Sequence, residues 1–334
     1  MVIGTRVKRK VAAHRRRPFV TYKEKINMMK NKKKKLNKNT LSLFLIALPG
    51  ITYLIINNYI PIMGIFIAFK NFSYAKGIWG SPWCGLDNFK FLFITDDAWV
   101  ITRNTLLYNL VFIVIGTVVS VIFAILLHEL GERIRGKFFQ SVLLFPHLLS
   151  WVVTAYLVYA LLGTSNGFIN NTILSGIGKE GIDWYTAKNM WPLILLIVYL
   201  WKNAGYNAIV YMAGIAGIDK EIYEAAKIDG AGKMKQITSI TLPMLKPTVI
   251  IMTLMSIGRI FYSDFGLFYQ VPMNAGTLIS TTQTIDTYVY RGLMEQGNIA
   301  MSSAAGVYQS LVGFALVMIA NYIVRKKDPE NALF

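Results

Sequence analysis

Six runs of apolar residues, at about 41–60, 105–127, 138–162, 191–213, 245–267 and 303–324, are each long enough to cross a hydrocarbon core as helix at ~1.5 Å per residue. Few architectures can accommodate so much apolar length. In lipid every backbone amide needs an internal partner, so the expectation is an all-α, polytopic membrane protein with about six transmembrane helices. The first run is open-ended and can extend past Pro61 toward Phe69. Composition agrees, since a mean hydropathy of +0.45 with only 16% charged residues is too apolar for a soluble domain of 334 residues. Pro49-Gly50 and Pro146 interrupt two of the runs, and such breakers suit a bundle whose neighbouring helices satisfy the freed backbone groups.

Charge orients the bundle. Of 35 Lys and Arg, 15 lie in the first 40 residues beside a single acid, Glu24, so this end is expected in the cytoplasm of a bacterial cell, as a disordered basic tail (1–40) drawn to anionic membrane lipids. A nucleic-acid role for Arg15–Arg17 and Lys32–Lys35 is disfavoured, because no recognition module and no interleaved aromatics accompany them. Alternation from that end puts the 128–137 loop, the segment 219–243 and the tail with Arg325, Lys326 and Lys327 inside as well. The membrane-spanning body is expected over 41–327, with 328–334 as a cytoplasmic C-terminal tail. A cleaved secretory signal is a poor fit, since the region before the first apolar run is too long.

One polar stretch between membrane-length runs stands out: Glu224 to Pro243, EAAKIDGAGKMKQITSITLP. Asp219 is placed to cap a short helix with Ile222, Ala225 and Ala226 on one face and Lys220, Glu224 and Lys227 on the other. Asp229-Gly230 stops it, because glycine accepts the left-handed geometry of a helix terminus. A second short helix is expected from about Ala231 to Thr241, ending where Leu242 precedes Pro243. Two adjacent alanines leave a face over which another protein's groove can approach closely, and Glu224 and Asp229 add anionic anchors.

This stretch resembles the EAA loop of permease subunits of binding-protein-dependent type I ABC importers, matching at Glu224, Ala225, Ala226, Asp229, Gly230, Ala231, Ile240, Leu242 and Pro243, with Ile237 where an aromatic is frequent. In that family the loop is the coupling helix that docks into a cleft of the cytoplasmic ATPase. Segments 69–93, 144–153, 201–219 and 285–310 are similar to the carbohydrate branch, especially to permeases for large oligosaccharides and polysaccharides such as alginate and pectin fragments. The likeness runs from about residue 40 to the C-terminus. It implies an inner-membrane complex of two permease subunits, usually different polypeptides, with two ATPase copies that carry the ATP and Mg. It also implies an extracytoplasmic solute-binding protein, a glycan cargo, preferably an acidic uronate glycan, and alternating access as the mechanism.

Polar residues inside apolar runs are costly in lipid and face a cavity or a partner. Lys202 and Asn203 interrupt the fourth run, and Arg259, Tyr262 and Asp264 the fifth. Counted from Pro243 along a continuous helix, Arg259 would lie about 24 Å in, deep or toward the outer half. A guanidinium there can pair bidentately with a uronate carboxylate, and an internal Arg259–Asp264 or Lys202–Asp264 ion pair is the alternative. Tyr206, with Trp201, Tyr211, Phe261 and Phe265, flanks these positions and suits either sugar stacking or helix packing. By family analogy, Trp79, Trp83, Tyr288, Tyr290 and Arg291 are docking candidates for the binding protein.

Other chemistries find little support. Gly230-Ala231-Gly232-Lys233-Met234 imitates the end of a phosphate-binding loop, yet the earlier glycine is Lys227 and the required Ser/Thr is Met234, so no catalysis and no nucleotide site are expected on this chain. A lone Cys84 and dispersed His14, His128 and His147 offer no metal site or triad. A neutral-oligosaccharide importer is the nearest alternative reading. An ion-coupled secondary carrier would need no coupling loop and would typically show internal repeats, of which none is evident, and a membrane glycan-processing enzyme would have to rely on the isolated carboxylates Asp264 and Asp286.

Overall fold

A computed structural model describes residues 38–131 and 134–327. Both expected tails, and Glu132 and Arg133 of the loop at 128–137, lie outside these residues, except that Lys38–Thr40 already belong to the first helix. The chain divides after Met63 into two compact units. The first contains α1 (Lys38–Leu54), which carries Pro49 inside it and continues through a wide turn at Ile55–Tyr59 to Ile62. The second opens with the tight helical stretch that ends at Phe69, so the apolar segment Ser42–Phe69 is long enough to cross a membrane.

The second unit contains α2 (Asp87–Ile94), α3 (Asp97–Leu130), α4 (Ile134–Leu148), α5 (Trp151–Leu162), α6 (Trp191–Ala216), α7 (Lys220–Ile228), α8 (Leu242–Ile257), α9 (Ile285–Met294) and α10 (Ile299–Lys327). No strand occurs among the described residues, only an isolated bridge between Lys70 and Trp83. Among the described residues five helical stretches are long and apolar enough to span a membrane, and α4 with α5, bent by 98° at their junction, add a sixth if the pair is one broken span rather than a re-entrant loop. The fold is an all-α polytopic membrane protein.

α3 shows how the spans are built. Leu107, Leu110, Val114, Val118, Ile122 and Leu126 form one exposed stripe at spacings of three and four, whereas Tyr108, Phe112, Val121 and Ala124 on the other side are buried. A helix apolar on both faces has lipid on one and protein on the other. The buried face meets α6, where Phe112 stacks on Tyr199 at 4.1 Å and the Tyr199 ring lies over Gly116. Nearer the other end, Val121 and Ala124 pack with Ala208, Tyr211, Ile215 and Leu245, which brings α8 into the same core. α6 also meets α4 so closely that a Cβ on Gly205 would stand 1.9 Å from the Leu143 carbonyl oxygen. Small residues at such crossings let backbones touch.

Three expectations about the spans change. The run at 138–162 is two helices rather than one, because the chain breaks at Leu149-Ser150, where Ser150 caps α5 through Val153 N. The run at 245–267 does not stay helical: α8 ends at Ile257 and residues 258–264 are unwound. Finally, Pro243 ends nothing. Leu242 is helical at φ −64, ψ −46, and helix runs from Lys233 to Ile257 as one span. A wide turn at Ile237–Thr241 immediately precedes the proline and takes up its missing N–H and ring clash.

Candidate functional site

The polar knuckle between α6 and α8 is built as its residues dictate. α7 ends on a paired motif: Gly230, at φ +80, donates N–H to Lys227 O at 3.1 Å, and Ala231 N–H reaches Ala226 O at 2.8 Å. These bonds satisfy the last carbonyls and turn the chain sharply. Asp219 takes the capping position with extended backbone, but its side chain makes no cap hydrogen bond. The back of the knuckle is tied down at three points. Tyr223 Oη pairs with Thr241 Oγ1 at 2.9 Å, Gln236 Nε2 donates to Ala231 O at 2.8 Å, and Lys233 Nζ meets Glu129 Oε2 at the end of α3 at 2.6 Å. The front, with Glu224, Ala225, Ile228 and Asp229, is exposed, and Ile228 is 86% accessible. Ala226 and Ala231 are half-buried behind it. A cavity of about 670 Å³ separates α7 from the ends of α3 and α6 and the start of α4, and Glu224 is among its lining residues.

A second polar locus lies in the unwound stretch 258–264. Arg259, Tyr262 and Asp264 are all exposed there. Asp264 Oδ1 accepts from Gly266 N at 3.0 Å and Leu267 N at 3.4 Å, starting the next helical turn. Neither Arg259 nor Lys202 forms an ion pair with Asp264, since the salt bridges among the described residues are Lys90–Asp87 and Lys233–Glu129. The Arg259 side chain is also without a hydrogen bond among the described residues. The distance count for Arg259 along a continuous helix does not apply, because that helix stops two residues earlier.

Lys202 has a different setting. Its ammonium is buried in α6 and donates to Pro146 O at 3.2 Å, His147 O at 3.4 Å and Leu149 O, while standing 4.8 Å from the centre of the Trp151 ring. Those carbonyls end α4 at its bend, and a cation at a helix C-terminus is favourable. The structure therefore places Lys202 behind the α4–α5 break, with its ammonium on backbone carbonyls. Trp151 lies so close to Gly266 that a Cβ there would come within 2.1 Å of its ring. Asn203 donates to its own helix at Tyr199 O, and Tyr206, nearly half exposed, stacks on His147 at 4.3 Å. Lys202→Met is expected to lower the melting temperature of the purified complex, with roughly 2–3 kcal/mol of stability lost because several carbonyls lose their partner. An unchanged melting temperature contradicts the capping role.

The outward candidates divide. Trp79 and Trp83 are 72% and 64% exposed, on a loop anchored by the buried ammonium of Lys70, which donates to Ile78 O at 2.7 Å. Tyr290 is half-buried against Phe265 and Tyr269. Tyr288 and Arg291, expected on a docking surface, are instead interior at 5% exposure each. With Ile285 they form the buried stripe of α9, in which Tyr288 Oη reaches Met301 Sδ and Arg291 Nε donates to Asn274 Oδ1 at 2.9 Å. Burial lowers the pKa of Arg291, and Glu295 and Tyr269 nearby oppose the shift.

Sequence reasoning missed Asn109 and Gln309 and weighed Asp286 only as an isolated carboxylate; the three hold the unwound stretch. Asn109 Nδ2 donates to Ile260 O and Tyr262 O, both at 2.9 Å, and Gln309 Nε2 donates to Phe261 O at 3.0 Å. Asp286 accepts from Ser263 N at 2.6 Å and Ser263 Oγ at 2.7 Å. An amide inside each of two apolar runs was the available signal, by the same rule that picked out Lys202.

A bundle of membrane spans, an exposed knuckle on tied-down supports and an unwound polar segment directly after the span Lys233–Ile257 describe a transport permease. The chain belongs to the family of binding-protein-dependent transport system inner membrane components, whose model matches residues 116–328. It is 35% identical over 289 residues to the polygalacturonan/rhamnogalacturonan transport system permease protein YteP of Bacillus subtilis (strain 168), covering 86% of this chain and 89% of that one. It is 27% identical over 278 residues to the arabinooligosaccharides transport system permease protein AraP of Halalkalibacterium halodurans, covering 82% and 84%. Among solved structures it matches a chain of a bacterial ABC transporter involved in the import of the acidic polysaccharide alginate, with a TM-score of 0.78 and 30% identity over 86% of this chain and 96% of that one.

Proposed function

We propose that this chain is one of two membrane subunits of an ATP-driven importer that moves acidic, uronate-containing oligosaccharides inward by alternating access. The observation that carries the acidic assignment is Arg259, an exposed guanidinium on unwound backbone beside Tyr262, with no hydrogen bond or ion pair among the described residues. A guanidinium offers a carboxylate two parallel hydrogen bonds, and an aromatic neighbour suits the C–H face of a sugar ring. Relatives named for polygalacturonan, and a structural neighbour named for alginate, favour the same cargo class.

The chain's own residues then have distinct tasks. The exposed front of α7, with Glu224, Ala225, Ala226, Asp229, Gly230 and Ala231, meets a cytoplasmic ATPase that binds ATP and Mg. The ties from Tyr223, Gln236 and Lys233 pass its displacement to α8 and α3. The second permease is a different polypeptide, and a solute-binding protein delivers the glycan on the outer side, where Trp79, Trp83 and Tyr290 remain accessible in whole or part. Four crossings precede the knuckle and two follow it, so both termini lie on the cytoplasmic side with the ATPase.

Arg259→Gln tests the cargo. In proteoliposomes holding the whole complex, uptake of an oligogalacturonate is expected to fall at least about tenfold. Equal uptake of the acidic glycan by variant and wild type removes the acidic assignment and leaves a neutral-oligosaccharide importer.

A further inference from the structure

The unwound stretch is held by side chains from three different helices, one peptide group after another. Asn109 of α3 takes the carbonyls of Ile260 and Tyr262, and Gln309 of α10 takes that of Phe261 between them. Asp286, in the first turn of α9, takes the N–H and hydroxyl of Ser263 with one oxygen and the Gln309 amide with the other, at 3.0 Å. Ser263 Oγ also pairs with Thr284 Oγ1 at 2.6 Å, and Thr284 caps α9. Phe261 is fully buried beneath this network against Tyr308. Irregular backbone survives at membrane depth only where protein groups or water satisfy it, and this cradle supplies those partners from the protein itself.

The cradle also fixes which side chains face outward. Phe261 points into the core and Ser263 into the network, while Arg259, Tyr262 and Asp264 stay exposed. We infer that Asn109, Asp286 and Gln309 are positioning residues for glycan passage: they hold the turns and open backbone of 258–264 in place, so that Arg259 and Tyr262 stay exposed. The inference rests on the reading of that surface as the glycan path. None of the three residues reaches the exposed face through a bond of its own. Their effect runs through the backbone they hold.

The segment bridges helices that must shift against one another as the bundle opens. A cradle with ligands on α3, α9 and α10 keeps the display constant only while those three move together, so they form the frame against which the path is set. α8, which ends at Ile257, is attached to that frame through the same segment.

The test uses the reconstituted complex with whatever glycan its binding protein delivers, and reads two quantities, glycan imported and ATP hydrolysed. Asn109→Leu and Gln309→Leu, on separate helices, are each expected to lower glycan imported per ATP about tenfold while binding-protein-stimulated hydrolysis persists. Asp286→Asn keeps the side-chain volume and one acceptor oxygen, and is expected to give a smaller drop of the same kind in a complex that still assembles. If hydrolysis and import fall in proportion in all three variants, the cradle is only structural and the inference is overturned. Unchanged import per ATP in the variants overturns it as well. Arg259→Gln in parallel separates the two ideas: indifference to that change, with the cradle variants still uncoupled, removes the acidic cargo and keeps the positioning role.

Discussion

Gly205→Val is expected to abolish recovery of folded protein. A Cβ at this position would stand 1.9 Å from the carbonyl oxygen and 2.5 Å from the carbonyl carbon of Leu143, and a backbone carbonyl cannot rotate aside as a side chain can. The substitution must push α4 off α6. This would also pull Lys202 away from the carbonyls that end α4, because both contacts join the same pair of helices. The combined penalty exceeds about 4 kcal/mol, the range reserved for overpacking and lost buried hydrogen bonds acting together. Gly306→Ala in α10 is the control, since a Cβ there meets nothing within 4 Å. The check is the yield of monodisperse protein in detergent and its melting temperature. A Gly205→Val protein that purifies and melts like the Gly306→Ala control would show that α4 and α6 do not touch here.

The second large effect concerns the knuckle and leaves the fold intact. Gly230 sits at φ +80 in open space, so a side chain there meets no neighbour and the cost is conformational, about 1–2 kcal/mol for a left-handed residue with a Cβ. Gly230→Val relieves that strain by giving up the Gly230–Lys227 and Ala231–Ala226 hydrogen bonds, which re-aims Asp229 and unwinds the end of α7. Glu224→Lys reverses charge on the exposed front without touching the backbone. Both variants are expected to insert in the membrane and to lose at least about tenfold in ATPase association and in coupled hydrolysis, as hot-spot substitutions do at small interfaces. Copurification of the ATPase with each variant, scored against the wild-type chain, is the readout. Normal copurification and hydrolysis by both would remove α7 from the interface.

Much of this architecture could be read along the chain because lipid imposes a simple rule. Length and apolar content located most spans to within a few residues at one end or the other, as with 191–213 against Trp191–Ala216, whereas the run at 245–267 is displaced from the span Lys233–Ile257. The short helix of the knuckle, with its glycine stop, followed from local chemistry at Asp229-Gly230. Where local rules failed, a distant residue had intervened. Nothing near Leu149 announces that the break in the third run is capped by a lysine more than fifty positions later. The break after Ile257 likewise depends on Asn109 and Gln309, which the chain supplies from two other spans. Pro243 is the local exception, since the wide turn ahead of it overrides the ordinary restriction on the residue before proline. α9 was misjudged for another reason. Ile285, Tyr288 and Arg291 recur every three residues, a buried helical stripe, yet the aromatic and the charge drew attention as surface groups.

The most direct measurement is ATP hydrolysis by the complete complex in proteoliposomes, with its binding protein loaded either with an oligogalacturonate or with a neutral oligosaccharide of equal length. The account predicts stimulation of hydrolysis, with import, by the acidic glycan alone. Stimulation by the neutral glycan, with none by the acidic one, would contradict it.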